Sequence, residues 1–284
     1  MNKIYHKILA ILAIFLSFFL TIKNNLDPDL GWHLRSGQWI LSHHTIQHFD
    51  EFSFTMSGHR WVNHEWLVDI ILYFLNQNHL QWLTIGFFTL LATIPIGYYL
   101  FRSKNKLDFF LILIMSFSLT NYLGIRPQII SWFFFFLLSI FLNHLSSPKN
   151  LTIKHILLLI LLFWLWANLH AGFPIGLLLY FLFIFSHFFD RRHPFPWLSH
   201  LITFTLCLLI TLINPYHFEL WQEIIAVGTS VLTSQYITEW QSILVFFNPE
   251  SWFILATCLL VIFKFRRYLQ PYHFITSLIF AFAY

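Results

Sequence analysis

Charge is what this 284-residue chain has least of: only 10% of its residues are Asp, Glu, Lys or Arg. A soluble domain carries about a quarter, so these charges are too few to solvate a globule. Cysteine is nearly absent as well. Cys207 and Cys258 both fall inside apolar runs. Without paired spacing they make neither a disulfide framework nor a zinc site, and they read as small core residues. There is no Gly-rich phosphate loop, which argues against a nucleotide-driven reaction. Alternating apolar and polar segments are missing, which excludes a transmembrane barrel. Internal repeats are not evident, and nothing points to nucleic acid as a partner.

What is there is apolar: 58% hydrophobic and 21% aromatic residues, with 36 Phe. Several runs approach the ~20 residues that cross a bilayer. The fold class expected is all-α, a polytopic helical membrane protein with about eight or nine spans in one transmembrane domain over 1–284. The spans are expected at 8–23, 80–101, 107–124, 128–145, 154–170, 173–189, 197–214 and 251–265, with a last one from about 272. That last run stops at Tyr284 and reads as a partial span or as a shortened form of a longer chain. The first run lacks a small-residue cleavage site and reads as an uncleaved membrane helix.

Basic residues sort by side. Twelve of the sixteen Lys and Arg fall in one set of connections and ten of the twelve acids in the other. By the positive-inside rule the N-terminus is cytoplasmic, and the protein is expected in a bacterial inner membrane with its polar face periplasmic. Two outer loops result, 24–79 and 215–250.

The first outer loop is the polar island of the chain. Between Asn24 and Asp69 it holds six of the twelve acids and six of the sixteen histidines. Asp27-Pro28 predicts a helix start, with Asp27 as N-cap and Pro28 at the first helical position. Leu30, Leu34, Gly37 and Leu41 then form an apolar stripe at helical spacing, with Asp29, His33 and Ser36 on another face. Trp61–Gln77 predicts a second amphipathic segment and Phe218, Trp221 and Ile225 a third, all at the membrane surface.

With its cap role assigned to Asp27, the loop leaves Asp29 free for chemistry. A carboxylate at a lipid–water boundary is partly desolvated, which suits a general base. His33 lies one turn on, and His64-Glu65 sits against the membrane between two tryptophans. The catalytic candidates are Asp29, His33 and Glu65. Asp27, His64, Arg126, Asn168, His170 and Glu239 are the substrate-binding candidates, with Arg126 suited to hold a phosphate bidentately. The acids and histidines form a candidate set for a divalent metal, but no HExxH or comparable ligand spacing is present, so no metal ligand is assigned, and a divalent metal is the one cofactor left open.

DPDLGWHLRSGQWIL, WVNHEWL, RPQ, WANLHAGF, NPY and TEWQS follow one another along nearly the whole chain. In this order they resemble a bacterial branch of the GT-C superfamily of polytopic membrane glycosyltransferases. The resemblance implies sugar transfer from a polyprenyl-phosphate donor at the outer face, with an acid of the first outer loop as base. Membrane lipids and the lipid-phosphate donor are the implied partners. On that reading Asp29 deprotonates the acceptor hydroxyl, and Asp29→Asn abolishes transfer. A lipid or solute transporter, or a non-catalytic assembly protein, is the alternative. A transporter needs ionisable groups near mid-membrane, whereas here they gather at span ends.

Overall fold

The computed structural model describes residues 28–102, 124–145, 151–188 and 195–236, with isolated positions in 7–19, 106–114 and 252–259. Among the described residues the architecture is all-helical. The only strand-like pairing is an isolated antiparallel bridge, Phe49 with Arg60. In chain order the helices are α1 (Leu30–His43), α2 (Trp66–Gln77), α3 (Gln81–Arg102), α4 (Gln128–Leu145), α5 (Ile153–Leu169), α6 (Phe173–His187), α7 (Trp197–Ile210), α8 (Phe218–Thr229) and α9 (Val231–Tyr236).

Two of them, α3 with 22 residues and α4 with 18, are long and apolar enough to cross a bilayer. α5, α6 and α7 lie where spans are expected and are apolar, but they run 17, 15 and 14 residues. The expected spans at 8–23, 107–124, 251–265 and beyond 272 lie largely outside the described residues. The helices that are seen have outward faces of bare hydrocarbon. Trp82, Phe87, Leu90 and Ile94 on α3 are exposed, as are Leu157 and Leu161 on α5 and Leu198, Leu201 and Ile202 on α7.

Local signals set the helix ends. Thr152 caps α5, its hydroxyl accepting from the His155 N–H while the His155 ring accepts from the Thr152 N–H. That reciprocal pairing satisfies two of the donors a helix start leaves orphaned. Pro174 sits in the first turn of α6, where no N–H is needed. Inside, Phe163, Trp166, Phe173, Tyr180 and Phe183 are fully buried and join α4 to α7 in one apolar core.

Two expectations for the outer helices are corrected. α1 starts at Leu30, with Asp29 rather than Asp27 in the N-cap position and no side-chain cap bond. Its buried face is also not the predicted leucine stripe. His33, Ser36, Gly37 and Ile40 are buried, while Leu30, Leu34 and Leu41 are only half-buried. The reason is on α2, where Asp69 is buried and needs donors. The second outer helix begins at Trp66 rather than Trp61: residues 61–65 are not helical, and the Trp61 N–H donates to the His48 carbonyl at 2.9 Å beside the Phe49–Arg60 bridge.

Candidate functional site

α1 and α2 approach so closely that a Cβ on Gly37 would collide with the Asp69 carbonyl and sit 2.8 Å from the Tyr73 Cβ. That contact brings the α1 face His33–Ser36 over Asp69. The Asp69 carboxylate accepts on both oxygens, from His33 Nδ1 at 2.7 Å and from Asn63 Nδ2 at 2.7 Å. Asn63 Nδ2 also donates to Ser36 Oγ at 2.8 Å, and Ser36 donates to Gln47 Oε1 at 3.0 Å. Tyr216, from the turn before α8, donates its hydroxyl to the Gln47 carbonyl at 2.6 Å. Asn63 completes its inventory by accepting the Glu65 N–H at 3.1 Å. Every member is buried except Glu65, which is half-buried, so the network fixes rotamers that solvent would leave free.

Above the network lies a pocket of about 160 Å³. Asp29, Trp32, His33, Trp61, Asn63, His64, Glu65, Asp69, Pro127 and Gln128 line it. His33 is the best-defined group. Its Nδ1–H is spent on Asp69, so in the neutral ring Nε2 carries the lone pair. Burial works to lower the His33 pKa, but the Asp69 hydrogen bond and the Glu65, Asp69 and Asp29 carboxylates outweigh it and raise it above 6.5. Glu65 stands at the centre. Its Oε2 lies 3.9 Å from both His33 Nδ1 and His64 Nε2, and its Oε1 lies 3.4 Å from His170 Nε2. Burial pushes the Glu65 carboxyl above its usual range, against the pull of His64 and His33.

Four of the candidates line one pocket: Asp29, His33, His64 and Glu65. Asp29 is exposed at the rim. His170 does not line the pocket but supports Glu65 from behind. Asn168 is not brought to the site: its amide donates to the Trp164 and Ile213 carbonyls, tying α5 to the end of α7. Arg126 does not line the pocket either; it immediately precedes two lining residues, Pro127 and Gln128. Asp27 and Glu239 lie outside the described residues. Among the described residues no group of three or more His, Cys, Asp or Glu is arranged to hold a metal ion.

Sequence reasoning missed Asp69 and Asn63 as site residues. The signal for Asp69 was present: it is the one carboxylate in WLVDIILYFL, and a lone acid in an apolar helix must find a partner. Gly37 was read as part of an apolar stripe, while its role in the structure is to let two backbones meet. No protein-family model, curated protein or solved structure matches the chain.

Proposed function

We propose that this protein is a multi-span membrane enzyme of GT-C type that transfers a sugar from a polyprenyl-phosphate donor to a hydroxyl acceptor, with the α1–α2 pocket as its active site. The observation that carries the reading is the His33–Asp69 pair beside Glu65 in a pocket on the polar outer loop. The exposed hydrocarbon faces of α3, α5 and α7 support a lipid setting. Eight or nine spans, with the loop on the periplasmic side, fit the charge asymmetry of the connections.

In this reading the base is His33 rather than Asp29. A general base works best when its pKa lies near the operating pH and a partner fixes its ring. His33 has the partner, with Asp69 holding Nδ1–H, and its pKa is raised from the ordinary 6.5 by that bond and by the neighbouring carboxylates. The acceptor oxygen attacks the anomeric carbon, its proton passes to His33 Nε2, and the carbon–oxygen bond to phosphate breaks with its electron pair leaving on the phosphate. Glu65 orients the acceptor through Oε2, and Asp29 at the rim binds sugar hydroxyls. Lys and Arg are absent from the pocket lining, so the departing phosphate is held outside it, with Arg126 the proposed ligand.

The test is full-length protein in liposomes with a panel of radiolabelled polyprenyl-phosphate sugars and mixed lipid or glycan acceptors. Release of free polyprenyl phosphate, reduced about 10²-fold or more in His33→Ala, is expected. Solute uptake into vesicles with no release from any donor would replace the transferase by a transporter.

A further inference from the structure

His170 follows α5 and is anchored from three sides. The Gly172 N–H points at its Nδ1 from 2.9 Å, and Ser131 Oγ on α4 lies 2.7 Å from the same atom. Trp166 Nε1, which can only donate, gives its hydrogen to Ser131 Oγ at 2.6 Å. Ser131 keeps its own hydroxyl proton available to donate to Nδ1. The arrangement has no slack: a Cβ on Gly172 would overlap Ser131 Oγ, and one on Gly176 would overlap the Trp166 ring.

A backbone N–H is an obligate donor, so Nδ1 must present its lone pair to Gly172. The ring proton is then on Nε2, the atom that faces Glu65 Oε1 from 3.4 Å. We infer that His170 is the positioning residue of Glu65, locked as the neutral Nε2–H tautomer by Gly172 and by the Trp166–Ser131 pair, with its one N–H on the ring nitrogen nearest Oε1. The separation is about half an ångström beyond an ordinary N–H···O contact, a gap that catalytic hydrogen bonds close when substrate binds. Oε1 is thus the oxygen on the His170 side, and Oε2, which faces His33 and His64, is the oxygen left for the pocket.

The device has a chemical consequence. Charging His170 would put a second proton on Nδ1, against the Gly172 N–H. Burial and the neighbouring His64 and His33 act the same way and push its pKa down to about 3. His170 therefore cannot take a proton from Glu65, and proton exchange at Glu65 runs to the pocket side. The charged and titratable groups around Glu65 are His33 and Asp29 from the α1 side, His64 and Asp69 from the α2 side, and His170. Of these, His170 alone is fixed as a neutral donor.

This inference concerns the side chains and holds whatever group the pocket transfers. Its test is spectroscopic, on the full chain in detergent micelles. In ¹⁵N-histidine-labelled protein the His170 signals, assigned by their loss in His170→Gln, are expected to show a bare Nδ1 and a protonated Nε2 from pH 8 down to about 4. An Nδ1–H tautomer, or a doubly protonated ring at pH 6, overturns it. Infrared titration then reads the protonated carboxyl of Glu65, assigned by its loss in Glu65→Gln. His170→Asn removes the donor nearest Oε1, and its midpoint is expected about one pH unit higher. His170→Gln, which keeps an amide N–H near the Nε2 position, is expected to restore it. An unchanged midpoint in His170→Asn sinks the proposal. If that variant does not fold, the tautomer in the native protein decides alone.

Discussion

Two helix contacts in this molecule are built on opposite principles. The α1–α2 contact is polar and exact: Gly37 lets the backbones touch, and Asp69, Asn63, Ser36 and His33 saturate one another inside. The α6–α7 contact is mostly ring on ring and forgiving, with one buried hydrogen bond, between the Tyr180 hydroxyl and His200 Nδ1 at 3.1 Å. Tyr180, Phe183, Phe195 and His200 meet there as tilted, edge-on or stacked rings 4.5–6.4 Å apart. Hydrogen-bond distances tolerate a few tenths of an ångström, whereas ring contacts re-form after small slides. Chemistry needs the first kind of contact, and the buried Asp69 carboxylate, with its donors His33 and Asn63, is placed there.

The sharpest way to break the contrast is Gly37→Ala. The new methyl meets the Asp69 carbonyl, which is backbone and cannot rotate away. Overpacking of this kind costs about 1–3 kcal/mol or more, and here it also parts His33 from Asp69. Thermal unfolding in micelles should show a large drop together with loss of the His33–Asp69 proton signal. Gly31→Ala on the same helix is the control. Nothing lies within 4 Å of its Cβ, so the better helix propensity of Ala should leave stability unchanged or slightly higher.

Asp69→Asn comes next. It keeps the shape of the side chain but removes the carboxylate whose charge and hydrogen bond raise the His33 pKa. Burial then acts on His33 with only Glu65 and Asp29 opposing it, so its titration midpoint by NMR should fall. Breaking a buried pair costs about 3–5 kcal/mol when a charge is stranded, and less here because Asn is neutral. The pH dependence carries the same information. His33 and Glu65 both have raised values in the fold, so their stabilisation is complete below their ordinary values and is lost as pH rises through the raised ones. His170 has the opposite sign: its stabilisation is full above about 6.5 and is lost as pH falls towards about 3. Unfolding temperature against pH should therefore decline on both sides, and Asp69→Asn should flatten the alkaline side only.

The apolar bundle was the legible part. Long Phe- and Leu-rich runs announce helices, and α3, α4 and α5 fall within one residue of their expected bounds. Such runs say where a helix is but not which face is buried, because nearly every face is apolar. The α1 stripe failed for a related reason. Leu30, Leu34 and Leu41 outweigh His33 and Ser36 on any hydropathy scale, and only the buried Asp69 of a second helix reverses the choice. Asp29, His33 and Glu65 were legible as a cluster because they share one polar island. Their hierarchy was not, since it depends on Asn63, Ser131 and Gly172 from three separate segments.

A milder probe tests the forgiving half. Phe183→Leu in the bundle removes part of a fully buried ring, and about 1–2 kcal/mol is expected, below the larger Phe→Ala range, since the neighbouring rings can close in. The His33 titration should not move. If it does, the two halves are mechanically coupled and the contrast fails.

Asp29→Asn should have the smallest effect, and it separates the two readings of the first outer loop. Asp29 is exposed at the pocket rim, and it is one of the carboxylates that raise His33 and Glu65, the weakest in each case. If His33 is the base, Asp29→Asn lowers transfer by less than about tenfold, while His33→Gln lowers it by about 10²-fold or more. The reverse order returns the chemistry to Asp29. His33 and Asp69 would then be a structural clasp that holds α1 against α2, and the buried network would serve to aim the rim rather than to act.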